Sequence, residues 1–533
     1  MLRLREIRLP LDHDEEALRR AVLRRLDIDA AQLRSIAVHK RGYDARNRRA
    51  IVFSYTIDVA TALDDVLLDR FHADPHLTVT PDMTYRHVAK APSDIASRPI
   101  VAGSGPCGLF AALILAQMGF KPLILERGKP VRQRARDTFR FWRGGPLRPD
   151  SNVQFGEGGA GTFSDGKLHT GIRDPDNLVH NVLREFVQAG APAEILFLSK
   201  PHIGTYGLVR VVENMRLGIE SLGGEFRFST RLDDLDIADG RLRAVRLDNG
   251  EKIACERLIL AVGHSARDTF RMLHGRGVPL TAKPFSIGVR IEHPQSLIDE
   301  RRLGSFAGHR ALGAADYKLV HHCRGGRSVY SFCMCPGGEV VAAASEEGGV
   351  VTNGMSQYER GEPNANAGLV VGITPADYPD GPLAGIRLQC ALEQAAFKLG
   401  GSSYHAPVQL LGDFLAGKAS HGAGSVTPSY RPGVTFTDLT TLLPCFIITA
   451  LREALPAFDR SIRGFAMADA VLTAVETRTS SPVRILRDNR FESEIKGLYP
   501  AGEGAGYAGG IISSAVDGIK AAEAVALSYV KTE

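Results

Sequence analysis

Apolar positions in the first sixty residues alternate, then recur at helical spacing, then alternate again. Leu2, Leu4 and Ile7 open as a strand. Asp12 and Glu15 have the spacing of a capping box ahead of a helix that carries Ala17, Leu18, Ala21, Val22 and Leu26 on one face. Ile36-Ala-Val-His39 and Ile51-Val-Phe-Ser-Tyr-Thr-Ile57 read as two further strands. Residues 1–92 are therefore predicted to form a small α+β module with the β-α-β-β start of a ferredoxin-like unit. Ala91 to Pro99 reads as a linker by composition. Beyond it, short and wholly apolar runs alternate with helical stretches, the pattern of an α/β domain built on a parallel sheet.

The first such run, Ile100-Val-Ala, leads into Gly103-Ser-Gly105-Pro-Cys-Gly108. In this G-x-G-x-x-G, the first glycine makes a tight turn and the second lets a pyrophosphate approach the backbone. The third lets the following helix pack on the strand. Leu109 to Met118 continues as a nearly all-apolar helix, and Gly119 stops it. Its N-terminus offers free amides and a positive dipole end to an anion. Leu123-Ile-Leu-Glu126 is the next strand, and its acid stands where a carboxylate accepts hydrogen bonds from ribose hydroxyls. Pro122 departs from the usual strand residue and is tolerated at a strand's first position.

Three more glycine-containing elements follow. Phe155-Gly-Glu-Gly158-Gly159-Ala-Gly161-Thr-Phe-Ser164-Asp165-Gly166 can bring backbone amides close to a flavin or its phosphates, or can be a plain loop. Arg257-Leu-Ile-Leu-Ala261-Val-Gly263-His264 is an apolar strand that ends in small residues. Leu498 to Ala515 is a strand, a glycine-rich turn with Gly502, Glu503, Gly504, Gly506, Gly509 and Gly510, and then a helix from Ile511. Such a helix start stabilises negative charge placed before it.

Taken in that order, the four elements resemble the FAD-binding half of the glutathione-reductase-like flavoproteins. More narrowly, the chain resembles the bacterial FAD-dependent dehydrogenases, also called NAD(P)/FAD-dependent oxidoreductases. Ser151-Asn-Val-Gln-Phe-Gly-Glu-Gly158, Phe332-Cys-Met-Cys-Pro-Gly-Gly338, Asn353-Gly-Met-Ser356 and Thr479-Ser-Ser-Pro-Val-Arg484 also match, and the likeness spans nearly the whole chain. It implies FAD as cofactor, held by Gly103, Gly105, Gly108, Glu126, Gly158, Gly159, Gly161, Gly263, Gly502, Glu503 and Gly510. Ser104, Pro106, Cys107, Arg127, Ser164, Asp165, Ala261 and Ile511 flank these and are placed in the same site. No second strand–GxGxxG–helix unit is visible, so NAD(P)H is expected only as a dissociable co-substrate.

The predicted fold is α/β. A Rossmann-type FAD-binding domain (93–280 and 466–533) is split by a strand-rich substrate domain (281–465), with the ferredoxin-like module in front. That inserted part carries Ser286-Ile-Gly-Val-Arg-Ile-Glu-His293, a hairpin-like pair around Arg324-Gly-Gly-Arg327, and Val340-Val-Ala-Ala-Ala344.

Seven scattered cysteines in 533 residues form no disulfide framework, as in a reducing cytosol. Charges interrupt every apolar run at the N-terminus, and no stretch is long enough to cross a bilayer, so the expectation is a cytoplasmic protein without a membrane partner. Net charge is +5, too small for general nucleic-acid affinity. The turn Lys40-Arg-Gly-Tyr-Asp-Ala-Arg-Asn-Arg-Arg49 is the one hint of such a partner; its other reading is a solvated tip whose charge blocks edge pairing.

Catalytic residues are not fixed by the sequence. His169 follows the second glycine cluster, and Cys333 and Cys335 lie in the inserted part near His321 and Cys323. In a regular strand the two thiols share a face with Cα atoms about 6.5–7 Å apart, poor geometry for a disulfide. No four-ligand metal set is evident, and none is expected. Arg132, Arg136, Arg140 and Arg143 recur beside Phe139 and Trp142, as a solvated face or as a clamp for an anionic substrate or nucleotide. The expected chemistry is two-electron transfer between flavin and a small organic substrate. An oxygen-activating monooxygenase and a flavin-dependent RNA-modifying or RNA-binding protein are the alternatives.

Overall fold

The computed structural model describes residues 1–95 and 97–530. At the N-terminus, strands Leu2–Pro10, Leu33–Asp44, Val52–Thr61 and Leu77–Val79 form one antiparallel sheet in the spatial order second, third, first, fourth. Helices Ala17–Leu26 and Asp64–Arg70 complete a β-α-β-β-α-β chain order, the ferredoxin-like arrangement. Period-two burial puts Phe53, Tyr55, Ile57 and Val59 into the core from the central strand.

Two local expectations are corrected. The helix Ala17–Leu26 begins without a side-chain cap, and the Asp14 carboxylate accepts instead from Arg20, at 2.7 Å. The basic segment is not mainly a turn, since its strand runs on to Asp44. Nor is that edge left unpaired. Arg41 N–H donates to the Phe197 carbonyl at 2.6 Å, Ser199 N–H donates to the Arg41 carbonyl at 2.8 Å, and the guanidinium lies over Phe53 and Phe197.

Residues 91–99 are irregular where described, position 96 lying outside the described residues. The segment is pinned to the next domain: Ala91 N–H donates to the Met118 carbonyl, Ile95 packs into that domain's core, and just before it Tyr85 Oη donates to Glu523.

The α/β part is a five-stranded, wholly parallel sheet in the order Leu498–Pro500, Leu258–Leu260, Ile100–Ala102, Leu123–Leu125, Glu225–Arg227. The inner strands are buried at every position because helices cover one face and an antiparallel meander, with helix Arg267–Gly275, covers the other. The helix Pro106–Gln117 ends at Gly119, whose φ of 89° suits glycine alone. It packs on the C-terminal helix Ile511–Val530 at close range. A Cβ on Gly518 would stand 2.1 Å from the Cys107 carbonyl oxygen. An antiparallel meander of Leu232–Ala238, Arg241–Leu247 and Lys252–Ala254 lies between the fifth and second of these strands in sequence.

The inserted region forms a seven-stranded sheet. Its spatial order is Val320–His322, Ser328–Cys335, Asn364–Ile373, Phe285–Pro294, Val471–Glu476, Ala406–Leu410, Val434–Phe436, antiparallel except for the last pair. The expected hairpin around 324–327 is present. The hairpin Gly338–Ala342 with Thr352–Ser356 and the helix Cys445–Ser461 pack against the sheet. Val471–Glu476 pairs inside it, beyond the limit of 465 expected for the insertion. No helix among the described residues is long and apolar enough to cross a membrane.

Candidate functional site

The four glycine segments, far apart in sequence, converge on one cavity of about 370 Å³. At its start, the loop after Ile100–Ala102 turns at Gly103, where φ is 99° and a Cβ would lie 2.4 Å from the Ala261 carbonyl oxygen. Gly105 has an ordinary φ of −71°, and a Cβ there would touch only Gly159 Cα, at 3.6 Å. Its open side is the cavity. Pro106 begins the helix, where its missing N–H costs nothing, and the amides of that first turn have no partner within the helix.

Glu126 ties three loops together. Its carboxylate accepts from Ser104 N–H at 2.9 Å and Ser104 Oγ at 2.7 Å, from Gly128 N–H at 2.8 Å and from Gly156 N–H at 3.1 Å. Arg127 lies over the Phe155 ring at 4.2 Å and pairs with Asp268.

The second glycine segment lies directly on the first. Gly158 N–H donates to the Ser104 carbonyl at 2.8 Å, and a Cβ on Gly159 would stand 2.8 Å from Gly105 Cα. Gly161 approaches the start of the C-terminal helix, a Cβ there lying 3.0 Å from Ile511 Cγ1. A side chain that sequence reading passed over holds this segment. Arg134 is fully buried and donates to the carbonyls of Asn152, Val153 and Glu157 at 2.7–2.8 Å. Its off-phase position within an arginine-rich helix was the available signal. The arginines singled out instead face elsewhere: Arg132 pairs with Glu213, and Arg136, Arg140 and Arg143 line a separate shallow surface cleft.

Elsewhere along the cavity lining, bare peptides face open space. A Cβ on Gly263, Gly509 or Gly510 would meet nothing within 4 Å. Glu503, beside them, is pushed up to about 7 by burial, with Lys283 and the Gly510 N–H pulling the other way. A carboxyl raised in the folded state contributes stability that is fully present below its unfolded value and is lost as pH rises through the folded one. FAD-free protein is thus expected to lose thermal stability between about pH 4.5 and 7. Glu503→Gln should flatten that slope in melting curves at pH 5, 6, 7 and 8. An unaltered slope would contradict this origin.

Of the sequence-predicted residues, Gly103, Ser104, Gly105, Pro106, Cys107, Glu126, Arg127, Gly159, Gly161, Ser164, Asp165, Ala261, Gly263, Glu503, Gly510 and Ile511 line the cavity. Gly108, Gly158 and Gly502 do not; they are packing positions. A Cβ would lie 1.8 Å from the Gly103 carbonyl oxygen at Gly108, 2.2 Å from Thr162 Oγ1 at Gly158 and 2.8 Å from Cys107 Cβ at Gly502. His169 is exposed and lies outside the lining, so its proximity in sequence does not carry over into space.

Further lining comes from the seven-stranded sheet, its hairpin and the segment after Glu476, through Phe332, Cys333, Asn353, Glu476, Arg478 and Thr479. Cys335 is buried behind Cys333. These two cysteines do not occupy a regular strand: a bulge separates Phe332 from Cys335, and Cys333 has a φ of 42°.

Arg478 belongs to a buried charge network that sequence reading missed because its members are far apart in the chain. Glu393, 2% exposed, accepts from Arg478 at 2.8 Å and from Arg267 at 2.7 Å. Burial alone would raise its carboxyl, but the two guanidiniums overcome that and hold it at about 2. Away from the cavity, the ligand atoms of His321, Cys323 and Glu453 lie within 4.8 Å of one another; no such set includes Cys333 and Cys335 among the described residues.

The donor set and the shape fit an extended dinucleotide carrying a flavin. A free helix N-terminus and glycine loop lie at one part of the cavity, and uncovered glycine peptides before a second helix lie at another. Fold and site together define an FAD-dependent flavoprotein of oxidoreductase fold. Residues 284–479 match the model of the FAD-dependent protein, C-terminal domain-like family, and residues 1–60 match a domain of unknown function. A Clostridium beijerinckii protein, itself described as uncharacterized, is 47% identical over 525 residues, 98% of each chain. The chain belongs to one family with that protein.

Among solved structures it is similar to Escherichia coli quinol fumarate reductase FrdA, with 13% identity, TM-score 0.35, and coverage of 82% of this chain and 71% of that one. It is also similar to L-proline dehydrogenase from P. horikoshii, with 12% identity, TM-score 0.32, and coverage of 81% and 91%. Likenesses of that strength say nothing about the reaction.

Proposed function

We propose that the chain is an FAD-dependent oxidoreductase that passes two electrons between the flavin and a small organic substrate. The observation that carries this reading is the double origin of the cavity. The glycine segments of the parallel-sheet domain line most of it, and the seven-stranded sheet with the segment after it adds the rest of the lining. FAD, when bound, supplies the two-electron carrier.

The protein's residues hold and enclose it. Gly105 and the first turn from Pro106 take the phosphates, and Glu126 and Arg127 take the adenosine part. Glycines 263 and 510, with Ile511, take the flavin ring, and Glu503 lies along the ring's approach. Residues 93–280 and 466–533 serve as the cofactor part and 281–465 as the substrate part, with the sheet contribution of the latter running on to Glu476. Phe332, Asn353 and Thr479 then bound the substrate space and keep water from the ring. A nicotinamide nucleotide is a dissociable co-substrate in this reading.

Anaerobic mixing of the purified holoprotein with NADH, NADPH and a panel of small amines, hydroxy acids and thiols tests it. Bleaching of the flavin by one of these, with the oxidised product recovered one to one, is the expected result. Flavin reducible by dithionite yet inert to every donor, and reoxidised by no acceptor, would contradict an oxidoreductase role.

A further inference from the structure

Within the cavity wall given by the seven-stranded sheet, two thiols sit in a distorted stretch of strand. Ser328–Cys335 pairs regularly with Asn364–Ile373 as far as Phe332 opposite Gly368, then resumes with Cys335 opposite Asn366. Between them Cys333 adopts a φ of 42°, a left-handed conformation that costs a side-chain-bearing residue energy and concentrates at functional positions. The bulge and the left-handed Cys333 break the regular strand geometry that would hold the two thiols apart on one face. Cys335 Sγ also lies 3.4 Å from the Cys333 carbonyl oxygen. Cys333 lines the cavity and Cys335 is fully buried behind it.

Cationic side chains converge on these sulfurs. Lys167 Nζ donates to the Met334 carbonyl, in the backbone between the two cysteines, and pairs with Asp165 at 2.9 Å. Arg360 takes the same Asp165 at 2.6 Å. On the other side, Arg290 is completely buried. It donates to Glu476 at 2.9 Å and to the Cys333 carbonyl at 3.2 Å, while its Nη2 has no hydrogen-bond partner. Three cations thus share two salt-bridged carboxylates, with Asp316 also near Arg360 and Glu292 near Arg290. Glu503, a further acid near Cys333, is raised to about 7. A thiolate at Cys333 is stabilised where Lys167 and Arg290 act on it, whereas a thiol that only fills space needs no cation beside it. The hydrogen bond from Cys335, then Lys167 and Arg290, hold the Cys333 thiol well below its ordinary range against the effect of burial. The same bond and burial hold Cys335 well above it.

The geometry points to Cys333 and Cys335 as a dithiol–disulfide pair that exchanges two electrons with the flavin in this cavity, an inference that rests on the FAD reading above. In the oxidising direction, the Cys333 thiolate gives its electron pair to a new S–S bond and the Cys335 S–H bond breaks. Two electrons and that proton pass to the oxidised flavin. One negative charge and one hydrogen stand on each side, and the reverse step returns the thiolate and the thiol. Closure inside so short a loop departs from relaxed disulfide geometry, which makes the bond easily reduced.

The test uses full-length protein carrying Cys445→Ser, because Cys445 is exposed and would cross-link chains. FAD-loaded protein is oxidised with diamide, desalted and titrated anaerobically with dithionite. The reference protein is expected to take up two two-electron equivalents per FAD, and Cys333→Ser or Cys335→Ser one, a twofold change. Independently of any further variant, alkylation and peptide mapping should find thiols 333 and 335 free before oxidation and joined after it. One equivalent per FAD, with both thiols still alkylated after diamide, would overturn the pair. Protein that binds no FAD would overturn the cofactor reading instead, and the thiol map on that sample still decides whether the disulfide closes.

Discussion

Replacing Gly105 with valine is expected to give a folded protein that no longer keeps FAD. The conformation at Gly105 is open to any residue, and a Cβ would make only an ordinary contact with Gly159 Cα. The branched side chain then extends into the part of the cavity bounded by the free helix N-terminus, where a phosphate must approach the backbone. Filling such a site costs on the order of 3 kcal/mol, or about a hundredfold in affinity. Flavin fluorescence titration should show that loss, while the melting temperature stays near that of FAD-free wild type. Gly108→Ala is the contrasting case: its Cβ would overlap the Gly103 carbonyl oxygen, so insoluble or unfolded protein is expected there. A Gly105→Val protein purified with a full complement of FAD would remove this loop from the site.

The second large effect concerns Glu393. Glu393→Gln leaves Arg267 and Arg478 buried with one fewer negative charge between them, and Glu346, 41% exposed at its side chain, is the other carboxylate within reach of the pair. Breaking a buried pair by removing one partner costs about 3–5 kcal/mol. The expected result is a large fall in melting temperature at pH 7, together with weaker retention of FAD, because Arg478 lines the cavity and also fixes Ser265 there. The pH dependence has a definite sign. The folded carboxyl sits at about 2, below its ordinary value. Its contribution is therefore complete above about pH 4.5 and is lost as pH falls through 2. Wild type and variant should converge as the pH is lowered through that window. A variant as stable as wild type at pH 7 would show the network to be dispensable.

These two cases mark what is legible in the sequence. Gly103, Gly105 and Gly108 announce themselves because strand, turn, helix and the following Glu126 must lie at fixed local offsets. The ferredoxin-like module likewise shows in period-two burial, as at Phe53, Tyr55, Ile57 and Val59. The convergence of Gly161 with Ile511, or of Glu393 with Arg267 and Arg478, depends on long-range pairing that leaves no local spacing to read. Arg41 illustrates the opposite error. A basic run looks solvated in sequence, yet its backbone is an edge-strand partner for residues 197–199 and its guanidinium covers two aromatic rings. The bulge at Cys333 also escaped sequence reading, since strand composition carries no sign of a residue turning left-handed.

The central claim is that one FAD occupies the cavity formed by the four glycine segments. The most direct measurement is the cofactor content of the purified chain: heat release, chromatographic identification, and quantitation against protein, followed by reconstitution of stripped protein with added FAD. FAD is expected, non-covalently bound, approaching one per chain, and restored to that ratio on reconstitution. Protein that carries no flavin and leaves the absorbance and fluorescence of added FAD unchanged would contradict it.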